Sequence, residues 1–230
     1  MRKYLFVFLL LLLSGWRWDT HQNLAETAFK SLPLDVQETL NLSAVREGAI
    51  APDKDFRDNV HHRYPYSVPL SMQWLDEARV AYAIKDYDKA SYAFGVASHY
   101  ISDSFAGPHN INYESSDLHS LFERQVDSYQ PLSACATGTV NIEDDLWQAA
   151  TQGHQDWLEW IENKDRTIPQ KETEAAVQLL YKVAHATFNT HCIQPVIVEE
   201  KKFSFTPLSI TFIVLAALFL LAVVALLVIP

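Results

Sequence analysis

The sequence predicts an all-α body, and three observations carry that expectation. Only 6 glycines occur in 230 residues, too few for a series of tight β-hairpins. Apolar residues recur at intervals of three and four through the middle of the chain, the period of helices with one buried face. Pro33, Pro52, Pro65, Pro69, Pro108, Pro131 and Pro169 fall at the breaks between these periodic stretches, where helices stop and start.

Taken in chain order, the first element precedes that body. Met1-Arg2-Lys3 is followed by an apolar run from Tyr4 to Leu13 and by Ser14-Gly15. This is the charged, apolar and small-residue order of a secretory signal, and the run is short for a bilayer span. Cleavage after Gly15 would leave Trp16 with a free α-amine. Leu24, Ala25, Ala28 and Phe29 then share one helix face, and Val36 to Val45 continues beyond Pro33. Leu70 to Ile84 is followed by Tyr87 to Phe105, where Tyr92, Val96, His99, Tyr100 and Asp103 step by three and four. Leu118 to Tyr129, Asp144 to Ile161 and Glu172 to Thr190 complete about seven helices in one domain.

The last element is a membrane anchor. No charged residue occurs from Phe203 to Pro230, and Ile210 to Ile229 is an apolar stretch long enough to cross hydrocarbon as a helix. Lys201 and Lys202 precede it, which by the positive-inside rule alone favours a cytosolic body. A cleaved signal requires the opposite, and we give it precedence. The expected organisation is a signal over 1–15, a body over 16–202 and an anchor over 203–230, with the body exported and tethered by a single C-terminal helix outside the cytoplasm.

The chain has 18 Lys+Arg against 28 Asp+Glu, a net charge of −10. That excludes a duplex nucleic-acid binder working by counterion release, which needs a basic stripe. The mean hydropathy of −0.06 averages two very apolar ends with a polar middle. Cys135 and Cys192 are the only cysteines. They could pair in an exported chain, but two are too few for a disulfide scaffold.

Histidine is the outlier, with 9 residues. His99 with Asp103 and His119 with Glu123 are i, i+4 pairs, so each pair leaves one helix face and can grip one cation. His109 follows Gly107-Pro108 between them. His109, His119 and Glu123 would supply two imidazoles and a carboxylate, the composition of an open zinc site rather than a closed structural one. Imidazole and carboxylate without thiolate suit zinc better than magnesium or an iron–sulfur cluster. His21, Asp53 and the adjacent His61 and His62 are further candidates, each ordinary when taken singly. His154, His185 and His191 have no carboxylate at ligand spacing and read as hydrogen-bonded or solvent-facing residues.

In this order, these residues resemble the zinc-dependent phospholipase C family, whose fold is shared by the single-strand-specific zinc nucleases. The motifs are Ser-His99-Tyr-Ile-Ser-Asp103, Gly-Pro-His109-Asn and Leu-His119-Ser-Leu-Phe-Glu123, and the similarity runs from Trp16 to about Asp127. The resemblance implies three zinc ions in one cleft. One would take Asp53, His62, His99 and Asp103; a second the amine and carbonyl of Trp16 with His21 and the other oxygen of Asp103; a third His109, His119 and Glu123. His62 fits the pattern better than His61. Asp53 would also orient or deprotonate the attacking water, and zinc acidifies water and stabilises phosphoryl charge.

The implied activity is phosphodiester hydrolysis. The expected anchor favours a membrane phospholipid as substrate, cleaved to diacylglycerol and a phosphorylated head group. A single-stranded nucleic acid or nucleotide is the alternative, as in a zinc nuclease or 3′-nucleotidase, and the five-residue step from Trp16 to His21 matches the nuclease branch better. A non-catalytic zinc-binding surface domain is a third reading; it predicts missing ligands, and none of the nine is missing. Choline-preferring members carry aromatics where this chain has Lys54 and Asn59, so no box for a quaternary ammonium is evident there. Tyr64, Tyr66, Phe105 and Tyr113 are candidates for lining a substrate groove. No protein partner is inferable.

Overall fold

Among the described residues the chain forms eight α-helices and no strand: α1 (Trp18–Lys30), α2 (Leu34–Thr39), α3 (Leu42–Gly48), α4 (Ser67–Ala83), α5 (Tyr87–Asp103), α6 (Ser116–Arg124), α7 (Ile142–Asn163) and α8 (Thr167–Thr187). A single π turn (Pro52–Phe56) and a 3₁₀ turn (Gly107–Asn110) interrupt the connections. This computed structural model describes residues 18–112, 115–127, 129–131, 136 and 138–191, all within one unit spanning 1–194. The expected signal over 1–15, Trp16, Tyr113, both cysteines and the expected anchor over 203–230 lie outside the described residues. Among the described residues no helix is long and apolar enough to cross a membrane.

Eight helices replace the expected seven because the stretch from Val36 to Val45 is broken in two. Leu40 is extended, with ψ 162, and Asn41 caps α3 by accepting from the backbone N–H of Ser43 and Ala44. The Asn41 backbone N–H donates to Ser91 Oγ at 2.9 Å, and its side chain donates to Asp88 Oδ1 at 2.8 Å. The cap therefore ties α3 to the start of α5. Pro69 and Pro169 do not lie between helices. Each is the third residue of its helix, α4 and α8 respectively, where a missing N–H costs no intrahelical bond.

α5 is the axis of the molecule. Every residue from Ala93 to Asp103 is buried, as expected of a helix covered on all sides. It packs against α4, α3, α1 and α8, and Phe94, Ala97 and Ile101 join Leu24, Leu75, Val177 and Leu180 in the main core. A second cluster of Phe122, Trp157, Trp160 and Ile168 holds α6 to α7 and α8. Phe122 meets Trp160 edge-on at 4.9 Å, and Trp160 Nε1 donates to Gln125 Oε1 at 2.8 Å. Aromatic contacts of this kind contribute about 0.5–1.5 kcal/mol beyond area burial. Their consequence here is that α6 is packed against α7 and α8.

Candidate metal centre

His99 and Asp103 leave one face of α5, one turn apart, and their side chains are 0% and 1% exposed. Groups this polar are buried only when paired or bound to a cation. The other candidates gather around them. α1 brings His21, the π turn Asp53, the following loop His62, the 3₁₀ turn His109, and α6 His119 with Glu123. Three groups have potential ligand atoms all within 4.8 Å of one another: His21, His99 and Asp103; Asp53, His62 and His99; His109, His119 and Glu123.

Asp103 joins the groups. Its Oδ2 lies 2.6 Å from His62 Nδ1 and 3.0 Å from His99 Nε2. Its Oδ1 lies 3.4 Å from His21 Nε2 and 3.6 Å from His109 Nε2. His119 Nε2 and Glu123 Oε1 are 2.6 Å apart. Asp53 Oδ1 is 3.6 Å from His99 Nε2 and 3.7 Å from His62 Nε2. At 35% exposed, Asp53 is the one carboxylate of the cluster open to solvent. His61 turns away to Asp58, with Nδ1 2.9 Å from Oδ2. His62 is the member of that pair brought to the cluster. Trp16 lies outside the described residues.

The imidazoles are oriented by groups behind them. Ala49 O accepts from His99 Nδ1–H at 2.8 Å, which turns the Nε2 lone pair to the centre. Asp58 O accepts from His62 Nε2–H, presenting Nδ1. Ser102 donates its hydroxyl proton to His99 O at 2.9 Å and accepts from His21 Nδ1–H at 3.0 Å. Asp58 carries no signal in the sequence, yet it organises the whole loop. Its carboxylate also accepts from the N–H of Val60 and His61 and from the Tyr100 hydroxyl. Against the burial that would raise it, these bonds hold its carboxyl down at about 2.

The electrostatics are those of a crowded site. Burial and the neighbouring His99 push His21 well below its ordinary value. Burial, with His119 and His62 beside it, brings His109 to about 3 although Asp103 opposes the shift. Burial raises Glu123 to about 7 against the pull of His119. Asp103 is held well below the usual carboxylate range, because His99, His21 and His109 overcome its burial. Asp103 Oδ1 and Glu123 Oε2 are buried and accept no hydrogen bond from the described residues. Orphaned carboxylate oxygens facing imidazole nitrogens, with no thiolate among them, fit divalent zinc well.

The loop bearing His109 has its own support. Gly107 N–H donates to Glu172 Oε2 at 3.1 Å, and a Cβ on Gly107 would meet Gly153 O at 3.0 Å and Glu172 Oε1 at 3.1 Å. Only glycine fits without displacement. Beside His109, a groove of about 390 Å³ takes in Tyr64 and Tyr66. Phe105 instead lines a separate cavity between α7 and α8. His154 donates from Nδ1 to Asn110 O at 3.0 Å and lines the same groove as His109; His185 pairs with Thr190 Oγ1 at 2.7 Å.

The model of the family described as zinc dependent phospholipase C matches residues 20–178. That span contains all eight of the clustered side chains. No curated protein matches the chain.

Proposed function

The chain belongs to the zinc-dependent phospholipase C family, and on that premise we propose that it is a membrane-anchored phospholipase C. It would hydrolyse a phospholipid to diacylglycerol and a phosphorylated head group. The observation that carries this reading is the convergence of six imidazole and carboxylate side chains on buried Asp103 and Glu123, with one of the six, the carboxylate of Asp53, left open to solvent. The signal over 1–15 and the anchor over 203–230 would export the body and hold its cleft at the bilayer surface.

His62, His99 and Asp53 would hold one zinc with Asp103; His21, Asp103 and the amino terminus at Trp16 a second; His109, His119 and Glu123 a third. Zinc, when bound, supplies Lewis-acid stabilisation of phosphoryl charge and acidifies water toward neutral pH. Asp53 would take the proton of the attacking water; although partly exposed, its carboxyl is raised by desolvation and the nearby Asp103 against the pull of His99, so it is a better base than an ordinary aspartate. Asp103 is held anionic away from solvent, where its attraction for a cation is weakly screened, and Glu123 would lose its proton as a cation binds beside it. Ala49, Asp58 and Ser102 keep the imidazoles aimed while the phosphodiester is engaged.

The test uses the full chain with its native N-terminus. Zinc is counted per chain, and phosphatidylcholine, other phospholipids and single-stranded RNA are assayed side by side. Three zinc ions with lipid hydrolysis is the expected outcome. RNA cleavage without lipid hydrolysis would favour the nuclease reading, which the short interval between Trp16 and His21 recommends. Full zinc loading with neither activity would leave a non-catalytic surface domain.

A further inference from the structure

We propose that the groove opening beside His109 receives the substrate's head group, and that it selects head groups carrying a negative charge of their own, with Arg63 as the specificity-determining residue. This rests on the phospholipase reading above. The groove runs from the metal centre, because His109 belongs to both, and its walls come from the 63–66 loop, the 3₁₀ turn and α7. Arg63, Tyr66, Trp147, Thr151 and His154 line it, together with Asn110.

Three features define what it takes. Among the described residues no carboxylate lines the groove, so an ammonium group entering it meets no counter-charge from them. Arg63 brings a guanidinium whose one hydrogen bond among the described residues is from Nη1 to Ile111 O at 3.5 Å, the outer limit for such a bond. Among the described residues no carboxylate pairs with it, which leaves its bidentate fork available to an anion. The lining mixes apolar and aromatic surface with polar groups at Arg63, Asn110, Thr151 and His154, and those polar groups match a hydroxylated or charged head. Two of its aromatics, Tyr66 and Trp147, are 49% and 54% exposed. They can flank a sugar-like or short polar head without supplying charge.

A phosphodiester reacting beside His109 finds this groove open to one of its two substituents. The polar substituent fits the walls. Its further anionic group, a carboxylate or a second phosphate, would reach the Arg63 fork. The about 390 Å³ available accommodates a small head group of this kind.

The experiment compares the zinc-loaded full chain with R63Q and R63E on mixed micelles of phosphatidylcholine, phosphatidylserine or a phosphoinositide phosphate. It also measures calorimetric binding of glycerophosphoserine, glycerophosphoinositol phosphate and glycerophosphocholine. Zinc content and melting temperature report folding of each variant. The wild-type chain should prefer one or both anionic substrates by about tenfold or more in kcat/KM. R63Q should bring that ratio toward one, mainly through KM, and weaken binding of the preferred anionic headgroup compound about tenfold; R63E should invert the preference. The carboxylate and phosphate arms show which anion is read. Preference for phosphatidylcholine in the wild type, or an equal loss on all lipids in R63Q with zinc retained, overturns the head-group assignment and leaves the phospholipase reading intact. Hydrolysis of RNA and no lipid overturns both.

Discussion

Gly95→Ala is the most informative single perturbation of the metal centre, although it touches no ligand. Where α3 crosses α5 the two backbones are in direct contact. A Cβ on Gly95 would lie 2.2 Å from Val45 O and 2.9 Å from Ala49 N, and one on Gly48 would lie 2.1 Å from Tyr92 O. Those neighbours are backbone, so the helices must part by about 1 Å to restore ordinary contact. Ala49 O accepts from His99 Nδ1–H at 2.8 Å, and a displacement of that size breaks the bond. Helix propensity favours alanine by about 1 kcal/mol. Overpacking costs about 1–3 kcal/mol, and a stranded buried donor about 1–3 kcal/mol more. The costs win, by about 1–5 kcal/mol. With its orienting bond lost, His99 should also bind zinc about 10- to 100-fold more weakly at the sites it serves. Urea denaturation of the metal-free protein followed by circular dichroism measures the first quantity, and competition with a chelating indicator the second. A variant as stable as the wild type with undiminished zinc affinity would refute the reasoning about both the crossing and the imidazole.

Asp103→Asn should abolish hydrolysis and lower zinc content, since Oδ1 and Oδ2 face four imidazoles; elemental analysis showing full occupancy with normal turnover would defeat the bridging assignment. Chelation should lower the melting temperature, because cation binding stabilises the folded chain by about 4 kcal/mol at a thousandfold excess over Kd; calorimetry that finds the same melting point with and without chelator contradicts a folded-state site. Glu172 is buried, and burial with Asp156 nearby lifts its carboxyl well above 4.5 although Gly107 N–H opposes the shift. The folded state then holds a proton that the unfolded state releases, so this residue's contribution to stability falls as pH rises from about 4.5 toward the raised folded value. Glu172→Gln should therefore gain stability relative to the wild type across that rise, and denaturation curves whose difference is flat from pH 4 to 8 would count against it.

The helices and the heart of the site are legible in the sequence for one physical reason. A period of 3.6 residues writes itself into local spacing, so α5 and α6 announce both their buried faces and their i, i+4 pairs. His109 is marked by Gly107-Pro108, and the remaining ligands by resemblance. What escapes is whatever depends on contact between distant segments. The break at Leu40 reflects a cap tied to Ser91 and Asp88. The need for glycine at 48 and 95 arises only where the two helices cross. His154, without a carboxylate neighbour in sequence, reaches the groove only because α7 packs against the 3₁₀ turn.

The same distinction separates the ligands from what aims them. Imidazole and carboxylate are chemically conspicuous, but an imidazole coordinates only through the nitrogen that is turned inward, and that choice is made by the bond its other nitrogen forms. Two of the three orienting acceptors found here are backbone carbonyls, at Ala49 and Asp58, and the third is the Ser102 hydroxyl. A carbonyl can stand behind any residue type, so sequence leaves no trace of it. Because Ala49 follows α3 directly and Ser102 sits on α5, packing of the core helices and aim of the ligands are one mechanical property. Mutations that loosen the crossing should therefore degrade metal binding before they unfold the chain, whereas substitutions on the exposed face of α4, away from these contacts, should leave it untouched.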